Sequence, residues 1–402
     1  MPANKPPVTD WENDFDHCDA TYTADPFPIW ENLRAQCPVA HSDRYGRVWV
    51  PTRQEDIHKV AYNPESFSSK TVVITGLLPV GDEGLEAPPI TSDPPFHTDF
   101  RRILLPAFGP KLIAEWEPRI RALANSRIDT FIEKGKCDAA AEYAKQIPVT
   151  VIALMVGVPP EDGDLFTEWV HQLLEVSPTD PEAATEGLGS MISYLSAKIA
   201  ERRASPQDDL ISTLLEAEIE GEKLSDMRIL GTVILLMLAG IDTTWSSIGA
   251  GLWHLSHHPD DLARLVDDPK LMDTAVEEFL RAYAPVTMAR EVVKETQLGG
   301  ETLCPGDKLL LPFPAGNRDP AAFPDADKVL IDRAVNRHHA FGAGIHRCLG
   351  SNLARLELSV ALEEFIRRIP AFHLADPAAV TWSSGQVRGP RALPLVFDSV
   401  KS

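Results

Sequence analysis

Cysteine is scarce: five residues, Cys18, Cys37, Cys137, Cys304 and Cys348, in a chain of 402. Their number is odd, their spacings are wide and no C-x-x-C pair occurs. That argues against a disulfide framework, a zinc ribbon and a thioredoxin-like pair. Long apolar runs are missing too. The longest near-apolar stretch, Ile229 to Ile241, has thirteen residues, whereas a bilayer span needs about 20. A buried helix of a soluble protein is expected there, and no membrane. Met1 to Trp11 lacks the apolar core of a signal peptide, so a cytoplasmic location is expected. Positive charge is in deficit, with 38 Lys and Arg against 59 Asp and Glu and a net charge of −21. Such a chain should not bind nucleic acid through its bulk field. Repeats, linkers and low-complexity tracts are also absent, so one domain spanning 1–402 is expected. What remains is 44% apolar and 24% charged, the balance of a globular protein.

Residues 1–25 read as a loosely ordered polar lead. Over 69–92, Gly76, Pro79, Gly81, Gly84, Pro88 and Pro89 rule out long regular elements. This stretch still carries Val72, Val73, Ile74, Leu77 and Leu78, the composition of an apolar access loop. Helical spacing dominates from about Pro95 to Val266. Ser225 is a plausible N-cap for the long helix over 225–257, whose 32 residues from Asp226 to His257 would be about 48 Å long at 1.5 Å per residue. After Pro285 short strands are expected, such as Lys308 to Leu311, then a last helix from about Leu349 to Arg368. The fold class is mainly α with a smaller β region.

The strongest chemical signal is F-G-x-G-x-H-x-C-x-G at 341–350. Two glycines let a loop fold tightly against something flat. Cys348 follows just before a helix, where the dipole and loop N–H groups favour a thiolate, the form that binds metal. With this motif the sequence resembles the cytochrome P450 family, haem-thiolate monooxygenases, of the soluble bacterial type. The resemblance implies a triangular helical prism with haem b between the long helix and the 341–350 loop. It makes Cys348 the axial iron ligand, with Phe341 beside the sulfur and Gly350 closing the loop. Thiolate ligation favours O–O cleavage.

Three further sets match family motifs. Ala239-Gly240-Ile241-Asp242-Thr243 sits mid-helix, where an acid and an alcohol interrupt an apolar run. By resemblance Ala239 and Gly240 border the haem, and Asp242 and Thr243 deliver protons over its distal face. Glu278-x-x-Arg281, with Arg333, matches a buried structural network. His97 and Arg101 share a helix face at i,i+4 and, with Arg290 and His346, match positions that hold haem propionates. Implied pocket residues are Val72, Val73, Leu235, Leu238, Val286, Met288 and Val387. No Lys or Arg lies between Thr71 and Ile90, so an apolar or weakly polar small molecule is the expected substrate.

The implied reaction is insertion of one atom of O2 into a C–H bond, by hydroxylation, O-dealkylation or epoxidation, with electrons from a separate ferredoxin and reductase. A peroxide-driven peroxygenase, a haem-thiolate isomerase or coupling enzyme, and a non-catalytic haem sensor or carrier are the alternatives. Asp242-Thr243 argues against the first and would be superfluous in the sensor. Charge is unevenly spread. Between Arg333 and Arg355 there are four arginines and no acid, and between Arg101 and Lys136 eight basic residues against four acidic. By resemblance both stretches flank the cysteine side of the haem. An acidic ferredoxin docking on a monomer near Arg102, Arg337 and Arg347 is the expected partner.

Overall fold

The computed structural model describes residues 5–74 and 86–399. The expected access loop therefore lies partly outside the described residues, Leu77 and Leu78 included. Helices dominate, and the longest, Asp226–His257, runs through the middle of the molecule. Ser225 caps it by accepting a hydrogen bond from the Arg228 N–H. Against it pack Gln146–Val156, Pro181–Ala204 and the cysteine-following helix Ser351–Arg368. Two stretches are long and apolar enough to cross a membrane, Ala139–Val156 and Asp226–His257, but 67% and 78% of these windows are buried within the protein. Their apolar character serves the core, which both of them help to build.

The β region flanks this helical body. Its main sheet runs in the order Val39–Ser42, Val48–Pro51, Lys308–Pro312, Thr287–Val292, Phe67–Ser68. Leu309 pairs with Arg290 in the antiparallel register of the two inner strands. A second, three-stranded sheet joins Phe372–Leu374, Pro394–Phe397 and Lys136–Asp138. It bridges segments more than 200 positions apart, so no local sequence pattern announces it.

The N-terminal expectation is corrected. Residues 5–25 are not a loose lead: a short helix, Ala20–Ala24, is capped by Asp19. Phe15 and Tyr22 are buried in an edge-to-face aromatic cluster with Trp30. Polar residues elsewhere in this stretch masked three large anchors.

The 69–92 segment is fixed at both described ends. The Ala289 N–H donates to the Val72 carbonyl at 2.9 Å. On the far side, Thr232 of the central helix donates to the Pro88 carbonyl at 3.0 Å. Thr232 thus interrupts the apolar run of its helix for a reason: it binds the loop that crosses there.

Candidate active site

Two structural elements face each other across the site. On one side lies the turn from Phe341 to Gly350. Gly342 and Gly344 both adopt positive φ, +68° and +66°, which only glycine takes without strain. A Cβ on Gly344 would lie 2.0 Å from the Ala61 carbonyl oxygen, so the turn is pressed against the N-terminal part of the chain. The Cys348 N–H donates to the Phe341 carbonyl at 2.7 Å, closing the loop. The Phe341 ring lies under the guanidinium of Arg355, 4.4 Å away.

Burial pushes the Cys348 thiol above its ordinary value. The Gly350 N–H, Arg101, Arg347 and Arg355 pull the other way. The donors expected from the sequence are therefore present, but desolvation outweighs them in the protein alone. A coordinated metal ion deprotonates a thiol outright.

A cluster of cationic and imidazole groups lies nearby. Arg290 is buried, and its only hydrogen-bond acceptor among the described residues is the Ala289 carbonyl, at 2.6 Å. Burial lowers its pKa to about 10. Both ring nitrogens of His97, and Nε2 of His346, are buried without a partner. The two rings are 4.3 Å apart. His346 is driven down to about 2, by burial first and then by Arg290, His97 and Arg101. Burying donors with no acceptor is costly. The chemistry that satisfies this set is an anionic ligand with more than one carboxylate. Haem, with two propionates, fits, and its iron fits the Cys348 sulfur.

Opposite stands the central helix. Ala239 is exposed although Leu238 before it and Ile241 beyond it are buried, because it faces the open interior. Thr243 donates through Oγ1 to the Ala239 carbonyl at 2.7 Å. Together with Ile234, Leu235 and Leu238, these residues line a cavity of about 110 Å³. All seven pocket residues named from the sequence, Val72, Val73, Leu235, Leu238, Val286, Met288 and Val387, line it. Gln386 and Thr243 are its only polar side chains among the described residues. Val286 and Val387 meet across an isolated β-bridge, which draws two distant segments together at the cavity wall.

Gly240 lets the helix pack closely, since a Cβ there would lie 2.9 Å from Ile152. One expectation needs correction. Asp242 does not line the cavity beside Thr243. Successive helical positions point about 100° apart and do not face the same way. Asp242 is fully buried and bonds Arg391 at 2.6 Å through Oδ1. Its Oδ2 has no partner. Burial raises its pKa to about 6, opposed by Arg391 and assisted by Glu175. Nothing in the local pattern points to Arg391, which arrives from a strand 149 positions away.

Glu278 and Arg281 are fully buried and joined by two hydrogen bonds of 2.8 Å. Arg333 and Asn336 donate to the same carboxylate at 2.9 and 3.0 Å. Arg281 also donates to the carbonyls of Asn317, Ala326 and Lys328. This cluster anchors the irregular segment that leads to the cysteine turn.

Comparison with known proteins agrees with this arrangement. The family model for cytochrome P450 matches residues 47–374. The vitamin D(3) 25-hydroxylase of Pseudonocardia autotrophica is 37% identical, covering 94% of this chain and 95% of its own. The mycinamicin IV hydroxylase/epoxidase of Micromonospora griseorubida is 35% identical, over 88% of this chain and 90% of its own. A myxobacterial cytochrome P450 crystallised with myristic acid superposes with a TM-score of 0.87 at 33% identity, covering 94% of this chain and 98% of that one. The chain belongs to the cytochrome P450 family. It is a bacterial-type haem-thiolate monooxygenase, an oxidoreductase of class EC 1.14, and it binds haem iron.

Proposed function

We propose that the chain oxidises a C–H bond of an apolar or weakly polar small molecule held along the central helix. One observation carries this reading: a cavity bounded by Ile234 to Thr243 whose only polar side chains among the described residues are Thr243 and Gln386. Gln386 is already engaged, donating to the Val72 carbonyl at 3.1 Å. It therefore orients the wall more than it selects polar ligands. Relatives named as a mycinamicin IV hydroxylase/epoxidase and a vitamin D(3) 25-hydroxylase support an organic substrate.

Bound haem supplies the activation of O2 and the transfer of one oxygen atom. The chain supplies the binding groups and the proton-handling side chains. Cys348 offers the iron a sulfur ligand on one side. Arg290, His97, His346 and Arg101 would hold the propionates by charge-assisted hydrogen bonds. On the other side the Thr243 hydroxyl spends its proton on the Ala239 carbonyl, so its oxygen faces the cavity as an acceptor. Asp242, with a pKa near 6, exchanges its proton close to neutral pH. The apolar wall excludes bulk water from the reacting C–H bond.

Electrons come from a separate acidic ferredoxin that docks on the cysteine side. Arg102, Arg337 and Arg347 are exposed there, and Leu105 and Leu112 are exposed apolar residues in the basic 101–136 stretch. Charged residues steer such an encounter, and the apolar ones give it contact area. The enzyme works as a monomer in the cytoplasm.

The test is a spectral titration of the ferric holoenzyme with terpenoid, steroid, fatty-acid and aromatic ligands. Apolar ligands should displace the distal water and shift the haem band. A shift obtained only with polyanionic ligands would overturn the assignment.

A further inference from the structure

The distal acid is held by groups that the family motif does not contain. Arg391 donates from Nε to Glu175 at 2.6 Å, and from its two terminal nitrogens to Ser246 at 3.1 Å and Asp242 at 2.6 Å. Its guanidinium also lies 4.2 Å from the Trp245 ring. The approach is built into the backbone. A Cβ on Gly389 would lie 2.2 Å from Ser246, so the strand carrying Arg391 is pressed onto the central helix. Glu175 belongs to a π-helical turn, Gln172–Val176, and follows Leu174, which lines the cavity. Such turns insert one extra residue and occur often at functional sites. Here the insertion lets adjacent residues face the cavity and Arg391.

We propose that Arg391 and Glu175 are positioning residues of the distal acid: Arg391 holds Asp242 by one oxygen, Glu175 holds Arg391, and the pair sets the orientation and ionisation of Asp242. The proposal rests on the reading of Asp242 as a proton source. The charged and titratable groups facing Asp242 are Arg391 from the C-terminal strand and Glu175 and His171 from the turn. His171 stands 3.6 Å from Glu175 at the exposed end of the network. Arg391 favours the carboxylate, whereas Glu175 favours the acid. A fixed cation on Oδ1 leaves Oδ2 as the oxygen that takes the proton.

The two residues should therefore act with opposite sign, which a purely structural role would not produce. Infrared pH-difference spectra of the ferric holoenzyme read this directly. The carboxyl band lost in Asp242→Asn belongs to Asp242. Its titration midpoint should move up by about one unit in Arg391→Gln and down in Glu175→Gln. Arg391→Lys keeps the charge and should stay near wild type, which separates charge from misfolding. Midpoints that stay put, or move the same way in both variants, overturn the proposal, as does a spectrum with no band lost in Asp242→Asn. A separate measurement, the yield of product per electron pair in Asp242→Asn, decides the proton-source reading. If that yield is unchanged while the midpoints diverge, the positioning network stands and the proton role falls.

Discussion

The Arg101 guanidinium donates to the Arg347 carbonyl at 2.5 Å. That single bond ties the helix Phe96–Leu104, which also carries His97, to the turn that ends in Cys348. The helix that carries His97 and the turn that carries Cys348 are thereby tied together by the protein itself.

Replacing the sulfur is the first check. Cys348→Ala should abolish the thiolate band in the carbon-monoxide difference spectrum of the reduced protein. The fold should survive, because the loop is closed by backbone bonds such as Cys348 N–H to Phe341. An unchanged spectrum would move the axial ligand elsewhere.

Thr243→Ala removes the hydroxyl that faces the cavity while leaving its wall intact. Haem content and ligand affinity should stay at wild-type levels, and electrons should be diverted to hydrogen peroxide. General acid–base assistance is worth ~10²-fold or more in rate, so coupling should fall severely. Peroxide release equal to wild type would dismiss Thr243 from proton delivery.

Arg290→Ala should weaken haem retention without removing the thiolate signature. A charge-assisted hydrogen bond contributes about 1.5–3 kcal/mol, so haem loss to an apo-acceptor should quicken about tenfold or more. Retention at the wild-type rate would mean that Arg290 does not reach a propionate.

Arg347→Glu should slow reduction by an acidic ferredoxin, and the defect should shrink as salt screens the encounter. Stopped-flow reduction at low and high ionic strength reads both effects. An unaltered rate at low salt places the docking surface elsewhere.

Glu277 gives a pH prediction. Burial pushes its carboxyl up, but hydrogen bonds from His338 and Arg355 outweigh it and bring the pKa down to about 2. A depressed acid stabilises the fold above its unfolded value, near 4.5. That contribution is lost as pH falls from there toward 2. Glu277→Gln should thus be less stable than wild type at pH 7, with a gap that closes on acidification. Denaturant midpoints across that range measure it, and a gap that widens in acid contradicts the assignment.

Much of this was legible beforehand because the evidence was local. The turn 341–350, the capped central helix and the Glu278-x-x-Arg281 pair are each short patterns whose members are close in sequence. The pocket residues were legible only through family resemblance. Leu174 and Leu188 were missed, since a cavity wall assembled from six segments leaves no periodic trace. Arg391 and Glu175 were invisible for a similar reason: an arginine in a C-terminal strand reads as solvated until the fold brings it to a buried acid. The packed N-terminal stretch was misread because its burial depends on a few aromatic residues among many polar ones.

Arg281 and Arg333 grip the segment ahead of the cysteine turn almost entirely by its main chain. Their acceptors there are the carbonyls of Asn317, Pro324, Asp325, Ala326 and Lys328. A carbonyl is the same whatever side chain accompanies it. The identities of the exposed residues in this segment can therefore drift while the path of the chain stays fixed. The surface beside the iron ligand becomes a place where new partner contacts can be tried without moving the sulfur.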